Sequence, residues 1–164
     1  MIRTARIGDI DRVAEIYEAI HTAEERGELT VGWARGVYPV RETARAAWER
    51  GDLFVLPDQD GRAACVAVVA LSGGSCELKN LATREDMQRQ GCATQLLDYL
   101  FSHYAPRCSE MFVGTGDSPL TLPFYQHRGF VLDHRVKNFF TDNYEQPIYE
   151  AGELLRDMVY LKKS

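Results

Sequence analysis

CELKNLATREDMQRQGCATQLLDYLFSHY, residues 76–104, is the stretch that decides the fold of this chain. Residues 77–83 alternate between polar and apolar side chains, which predicts a strand with one buried face. The apolar side chains then recur at the spacing of one helix face, at Ala93, Leu96, Leu97, Leu100 and Tyr104. A turn centred on Gly91 joins the strand to the helix. Because a helix N-terminus offers free N–H groups and the positive end of the helix dipole, this junction suits a phosphate group.

The rest of the chain is predicted to form short strands and helices around this stretch. Further strands are predicted at residues 2–7, 52–57, 63–71, 111–114, 130–140 and 154–161. Helices are predicted from Asp9 to near Gly27, across residues 43–48, and in a short segment that ends at Gly129. Pro123 requires that this last helix either is kinked or begins near Thr121. Residues 29–40 are predicted as an irregular loop, residues 114–118 as a turn and residues 141–153 as a long polar excursion.

The bulk composition indicates one domain, residues 1–164, and excludes several classes of partner. The net charge is −5, from 19 basic and 24 acidic side chains, which argues against a nucleic acid or an anionic membrane surface. No apolar run reaches the roughly 20 residues that span a bilayer, and the first residues lack the apolar segment of a signal peptide. The four cysteines, dispersed and without metal-ligand spacing, are typical of reduced structural thiols, and they predict a cytoplasmic protein with no metal.

Two motifs resemble those of the GNAT superfamily of N-acetyltransferases. Gln88-x-x-Gly91-x-Ala93 fits the Q/R-x-x-G-x-G/A signature at every fixed position, between a predicted strand and a predicted helix. Residues 124–130, FYQHRGF, resemble the FYxxxGF segment of the same family. The resemblance extends from about residue 3 to residue 162. It implies an α/β (α+β) fold with a mixed, mainly antiparallel sheet of about seven strands, helices on both faces, and strands 4 and 5 splayed apart.

The resemblance also implies a co-substrate, acetyl-CoA, and the residues that bind it. Main-chain N–H groups of the glycine turn and the first helical turn would hold the pyrophosphate: Arg89, Gln90, Gly91, Cys92, Ala93 and Thr94. The pantetheine arm would pair with the backbone of Leu81, Ala82 and Thr83, in a slot opened by a strand bulge. Ser118 occupies the position at which family members often place a CoA-contacting asparagine, and its hydroxyl can donate.

The chemistry that the resemblance implies is direct transfer of an acetyl group to a primary amine in a ternary complex, without an acyl-enzyme. Tyr125 matches the family's general acid, which protonates the departing sulfur. A tyrosine packed on the core with a hydrogen-bonded hydroxyl is the other interpretation. Glu77 is the candidate general base, acting through water, although a solvated glutamate at a strand end explains it equally well. Asp117 is the second candidate for the base.

The acceptor is not identified by the sequence, and a small amine is favoured over a protein. His21 and Glu24, late in the first helix, either face the acceptor or lie on solvated helix surface. Five loop residues either line the acceptor pocket or anchor loops on the sheet: Trp33, Arg35, Tyr38, Tyr144 and Tyr149. The alternative function is a regulatory module that binds acyl-CoA without catalysis. An edge strand near the C-terminus could support a homodimer.

Overall fold

The structure is a computed structural model, and it describes residues 1–26, 39–117, 121–145, 147–150 and 153–164, with Glu24 and Glu150 as backbone only. Several predictions fall outside the described residues. They concern most of the loop at residues 29–40, the CoA contact of Ser118 and the side chain of Glu24. The same holds for three of the proposed acceptor-lining residues, Trp33, Arg35 and Tyr38.

The described residues form five α-helices, one 3₁₀ turn and nine strands. The helices are α1 (Asp9–Glu25), α2 (Arg41–Arg50), α3 (Cys92–Tyr104), α4 (Thr121–His127) and α5 (Phe139–Asn143), and the 3₁₀ turn is Glu85–Met87. The strands are β1 (Arg3–Thr4), β2 (Leu53–Pro57), β3 (Ala63–Ser72), β4 (Ser75–Thr83), β5 (Glu110–Gly116), β6 (Val131–Val136), β7 (Tyr149–Glu150), β8 (Glu153–Leu154) and β9 (Met158–Lys163).

Seven of these strands form one sheet in the order β1-β2-β3-β4-β5-β9-β6, and β7 pairs with β8. Every neighbouring pair in the large sheet is antiparallel except β4 and β5, which are parallel. The parallel pair follows from the crossover through α3, because two parallel neighbours cannot be joined by a hairpin. The predicted mixed, mainly antiparallel sheet of seven strands is confirmed.

Helices cover both faces of the sheet, as predicted. Alternate residues of β3 separate two hydrophobic clusters, with Cys65, Ala67 and Val69 in one and Val66 and Val68 in the other. The first cluster lies under α3, which contributes Cys92, Leu96, Leu97, Leu100 and Tyr104. The second lies under α1 and α2, which contribute Val13, Ile16, Tyr17, Ile20, Ala44 and Ala47. The helical periodicity of residues 93–104 therefore identified a true core face.

Three predictions about the C-terminal half were wrong in detail. Gly114 to Gly116 continue β5, whereas the sequence predicted a turn there. The predicted strand 130–140 ends at Val136 and is followed by α5, and residues 154–161 are divided between β8 and β9. The described part of α4 runs from Thr121 to His127, and Pro123 is its third residue.

In the part of the chain that the structure describes, no helix is long and apolar enough to cross a lipid bilayer. The same residues contain no group of three or more His, Cys, Asp or Glu side chains that could hold a metal ion.

Candidate active site

The central feature of the site is a gap between β4 and β5. Residues 75–78 of β4 pair with residues 110–113 of β5, and the pairing ends there. The register between β3 and β4 shifts at the same point, because Val68 pairs with Asn80 while Val69 pairs with Leu78. Lys79 is thus the extra residue of a β-bulge, which bends β4 away from β5. Beyond it, Leu81, Ala82 and Thr83 pair with β3 alone among the described residues.

The sequence analysis did not assign the bulge to a residue. Its signal is the pair Lys79-Asn80, two consecutive polar residues that break the strand alternation. Asn80 is buried, and its amide oxygen accepts a hydrogen bond of 2.9 Å from the Tyr17 hydroxyl on α1. Because Lys79 is an extra residue, the side chains of β4 change sheet face across it. Asn80 is therefore turned into the core, where its polar side chain needs a hydrogen-bond partner.

The gap opens toward the N-terminus of α3. Gly91 precedes that helix with φ 83°, and Arg89 also has a positive φ, of 61°. Among the described residues, the backbone N–H groups of residues 89–94 have no hydrogen-bond acceptor. Left-handed residues next to a helix start point consecutive N–H groups toward one point, an arrangement that binds anions. The residues therefore fit a pyrophosphate. Arg89 takes a left-handed backbone conformation that its residue type does not predict.

Side-chain hydrogen bonds fix the turn between β4 and α3. Gln88 Nε2 donates to the Thr83 carbonyl at 3.3 Å, and Gln90 Nε2 donates to the Asp86 carbonyl at 3.2 Å. The Arg84 guanidinium forms ion pairs with Asp58 at 2.9 Å and Asp86 at 2.6 Å. The hydrogen bond from Arg84 holds the pKa of Asp86 below its usual range. These contacts hold the turn in place from within the chain.

Tyr125 lies on α4, half-buried at the edge of the α3 cluster. Its ring packs edge-on against Phe124 and Phe130, with centroid distances of 5.1 and 5.5 Å. The Thr121 and Thr115 hydroxyls, 2.8 Å apart, hold the start of α4 against β5 beyond the point where β4 and β5 part. Tyr125 therefore belongs to the helix that borders the open part of the gap.

Glu77 and Asp117 occupy different environments. Glu77 is half-buried on β4 opposite Phe112, one residue before the strands part, and its carboxylate lies 3.2 Å from the Lys79 ammonium. Asp117 follows β5, where its carboxylate accepts a hydrogen bond of 3.2 Å from the Arg156 amide. Asp117 also donates its own amide to the Asp157 carbonyl. These bonds tie the end of β5 to the segment before β9 and give Asp117 a structural role.

The remaining predicted positions are dispersed. His21 is 3% exposed and lies 3.0 Å from the Pro39 carbonyl through Nε2, so its interpretation as solvated helix surface was wrong. Tyr144 stacks on Phe140 at 5.8 Å, and Tyr149 is exposed on β7. The side chain of Cys92 is buried in the α3 cluster. All four cysteines are free thiols.

Comparison with known proteins identifies the family. A family model described as the acetyltransferase (GNAT) domain matches residues 49–132, just over half of the chain. The chain belongs to the GNAT acetyltransferase family. The matched residues include the bulged strand β4, the glycine turn with the start of α3, and Tyr125 on α4. The resemblance drawn from the two sequence motifs is confirmed.

Individual GNAT relatives agree with this assignment. An uncharacterized N-acetyltransferase of Bacillus subtilis, YvbK, is 29% identical over 125 residues, which are 75% of this chain and 81% of the relative. The crystal structure of a B. subtilis acetyltransferase in complex with CoA is similar with a TM-score of 0.69 and 29% identity, over 77% of this chain and 85% of that one. A GNAT acetyltransferase of Elizabethkingia anophelis with acetyl-CoA bound gives a TM-score of 0.65 and 26% identity, over 80% and 94%.

Proposed function

We propose that this GNAT protein is a single-domain, acetyl-CoA-dependent N-acetyltransferase that moves an acetyl group directly to the primary amine of a small molecule. The observation that carries the proposal is the gap between β4 and β5, which leads to the N–H groups of residues 89–94, for which the described residues provide no acceptor. The solved relatives that hold CoA and acetyl-CoA support the same co-substrate.

The chain offers two kinds of backbone contact to acetyl-CoA. The N–H groups of Arg89, Gln90, Gly91, Cys92, Ala93 and Thr94, at the positive end of α3, suit the pyrophosphate. Residues 81–83 have an unpaired strand edge toward β5, which suits an arm that carries amide groups. Ser118 remains a proposed further contact through its hydroxyl.

Bound acetyl-CoA supplies an acetyl group activated as a thioester. In the proposed mechanism Tyr125 donates a proton to the departing sulfur, because a tyrosine hydroxyl ordinarily keeps its proton at neutral pH. Glu77 accepts the proton of the attacking amine through water, and the Lys79 ammonium at 3.2 Å orients its carboxylate. The two side chains belong to elements on either side of the gap, so they can act on the sulfur and on the amine separately.

Replacement of Tyr125 by phenylalanine tests the proposed acid. We expect Tyr125→Phe to lower kcat by about 10²-fold or more, the usual contribution of a positioned acid, while the Kd for acetyl-CoA stays unchanged. The measurement is steady-state thiol release together with calorimetric titration of acetyl-CoA. Tyr99→Phe is the matched control, because Tyr99 is a half-buried tyrosine on α3 that stacks on His103 instead. Equal kcat values for the two variants would remove Tyr125 from the mechanism.

The enzymatic activity itself is tested by the release of CoA thiol from acetyl-CoA in the presence of a broad panel of primary amines. Turnover that depends on the amine, with the acetylated amine identified by mass spectrometry, is the expected result. Tight binding of CoA without any thiol release across the panel would contradict the proposed enzymatic activity. It would favour the alternative function, a regulatory module that binds acyl-CoA without catalysis.

A further inference from the structure

The two faces of the gap differ in what covers them. On one face Leu122, Phe124 and Tyr125 of α4 pack against the α3 cluster together with Leu81 of β4. On the other face α1 and α2 pack over β2, β3 and part of β4, and in the described part of the chain their cluster includes no residue of β5 or β9. The described residues thus leave an approach to the end of the acetyl-CoA arm over β5 and β9, from the side opposite α3.

On that side β5 and β9 carry two aromatic side chains, Phe112 and Tyr160, and Tyr160 is the one beside Gly114. It pairs with Gly114 across β9 and β5, while its neighbours Val159 and Leu161 face the α3 cluster. A Cβ atom on Gly114 would lie 2.8 Å from Cε1 and 3.1 Å from Cζ of the Tyr160 ring. The ring therefore leans over the bare backbone of Gly114, in space that any other residue would fill.

A second ring holds Tyr160 in this position from the side away from the gap. His134 on β6 stacks on Tyr160 with a centroid distance of 4.7 Å and an angle of 10° between the planes. His134 is itself oriented by Asp133, whose carboxylate lies 2.6 Å from Nδ1. Because His134 occupies one face of the tyrosine ring, the opposite face is directed over Gly114 toward β4.

The direction in which this ring face points matters because the gap between β4 and β5 starts at Gly114. Val113, its predecessor, is the last β5 residue that pairs with β4. In the proposed binding mode the acetyl-CoA arm runs from the turn at Gly91 along residues 81–83 toward this point. Among the described residues no other aromatic ring stacks on the face of Tyr160 opposite His134. This free face borders the end of the gap at which the acetyl group would be presented.

We propose that Tyr160 forms a wall of the acceptor site and selects amines that carry an aromatic ring. The inference rests on the proposed acetyltransferase function and adds the class of acceptor. An aryl ring stacks on the free face of Tyr160 through its apolar surface and quadrupole, and a flexible alkyl chain gains less from the same surface. His134 and Gly114 act as positioning residues, because they hold the tyrosine ring without contacting the acceptor.

The charges around Tyr160 argue against a polycationic acceptor. Glu77 is paired with Lys79 at 3.2 Å, and Lys162 lies 3.7 Å from Asp133 and 3.8 Å from Glu110. Each of these carboxylates already has a cationic neighbour in the described part of the chain. Three carboxylates face two ammonium groups, so the surplus is a single negative charge, which is too little to hold the several charges of a polyamine. Shape and aromatic surface therefore determine selection.

The test compares 2-phenylethylamine with hexylamine in the wild-type protein and in Tyr160→Leu, which keeps an apolar side chain and removes the aromatic face. We expect the wild type to have the higher kcat/KM for the aryl amine. In Tyr160→Leu that preference falls about twofold to tenfold through KM for the aryl amine, while KM for acetyl-CoA is unchanged. Tyr160→Phe keeps the preference, and so does Tyr99→Leu, the control at the other tyrosine–histidine stack.

The outcomes separate the inference from the function on which it rests. An unchanged aryl preference in Tyr160→Leu, or no aryl preference in the wild type, overturns the role of Tyr160 and leaves acetyl transfer standing. An equal loss for both amines, or a raised KM for acetyl-CoA, shows a structural role and also overturns it. Absence of turnover in the wild type with every amine overturns the proposed function and the inference together.

Discussion

Gly114 affects both the packing of the sheet and the proposed binding of the acceptor. The ring of Tyr160 fills the space that a side chain on Gly114 would need, and Gly116 is related in the same way to Leu155, which would lie 2.8 Å from a Cβ atom. At both positions a neighbouring side chain, of Tyr160 on β9 or of Leu155 between β8 and β9, occupies the space that a larger residue would need. This requirement is a tertiary one, and it explains why two glycines within three residues predicted a turn from the sequence.

Replacement of Gly114 by alanine should affect stability and acceptor binding together. The new methyl group has to displace the Tyr160 ring from its stack on His134, and overpacking of this kind costs about 1–3 kcal/mol. We expect Gly114→Ala to lower the free energy of unfolding by that amount in urea titration and to raise KM for the acceptor. Gly74→Ala is the control, because a Cβ atom there meets nothing within 4 Å. Equal stability of the two variants would show that the ring moves aside freely.

At the scale of elements, the strand–turn–helix unit from β4 to α3 was predictable because its signals are local. Alternation, the glycine turn and helical periodicity each involve residues within a few positions of one another. The exact geometry of the gap between β4 and β5 was harder to predict from the sequence. The bulge at Lys79 depends on the pairing of β4 with β3 and on the buried hydrogen bond from Tyr17 to Asn80, which lie 63 positions apart in the chain. The position of α4 against the sheet likewise depends on a distant contact, between the hydroxyls of Thr121 and of Thr115 on β5.

The junction between β4 and α3 yields a prediction with a matched control. Gly91 and Gly61 have nearly the same φ, 83° and 82°, but Gly61 lies in the turn between β2 and β3. Alanine at a left-handed position costs about 1–2 kcal/mol at either site. We expect both variants to lose similar stability, whereas only Gly91→Ala weakens acetyl-CoA binding in calorimetric titration, because it disturbs the N–H groups at the start of α3. Equal affinities in the two variants would contradict the proposed pyrophosphate site.

At the scale of the whole molecule, the sheet order could not be derived from local patterns. β9 is inserted between β5 and β6, so the last strand of the described chain separates two strands that precede it. The pairing of two distant segments leaves little trace in the sequence of either segment. The expectation of a mixed, splayed sheet therefore came from the family resemblance. The resemblance also implied helices on both sheet faces, and the apolar faces of α1 and α3 provide this covering.

The two hydrophobic clusters share one sheet, and from this we predict that the chain unfolds as a single cooperative unit. Cys65 on β3 and Cys76 on β4 both lie in the α3 cluster. Burial raises the pKa of Cys65 to about 11 and that of Cys76 to about 12. Both thiols therefore stay protonated at pH 8 and react slowly with a thiol-specific reagent, because the thiolate is the nucleophile.

Labelling as a function of urea tests this cooperativity. We expect Cys65 and Cys76 to become reactive at the urea concentration at which the far-UV circular dichroism signal is lost, since a two-state transition exposes both at once. Cys108, which is half-buried at the end of α3, serves as the internal reference that reacts in the folded state. Peptide mapping by mass spectrometry assigns each label. Reaction of Cys65 or Cys76 well before the loss of secondary structure would show that the sheet opens in parts and would contradict a single folding unit across residues 1–164.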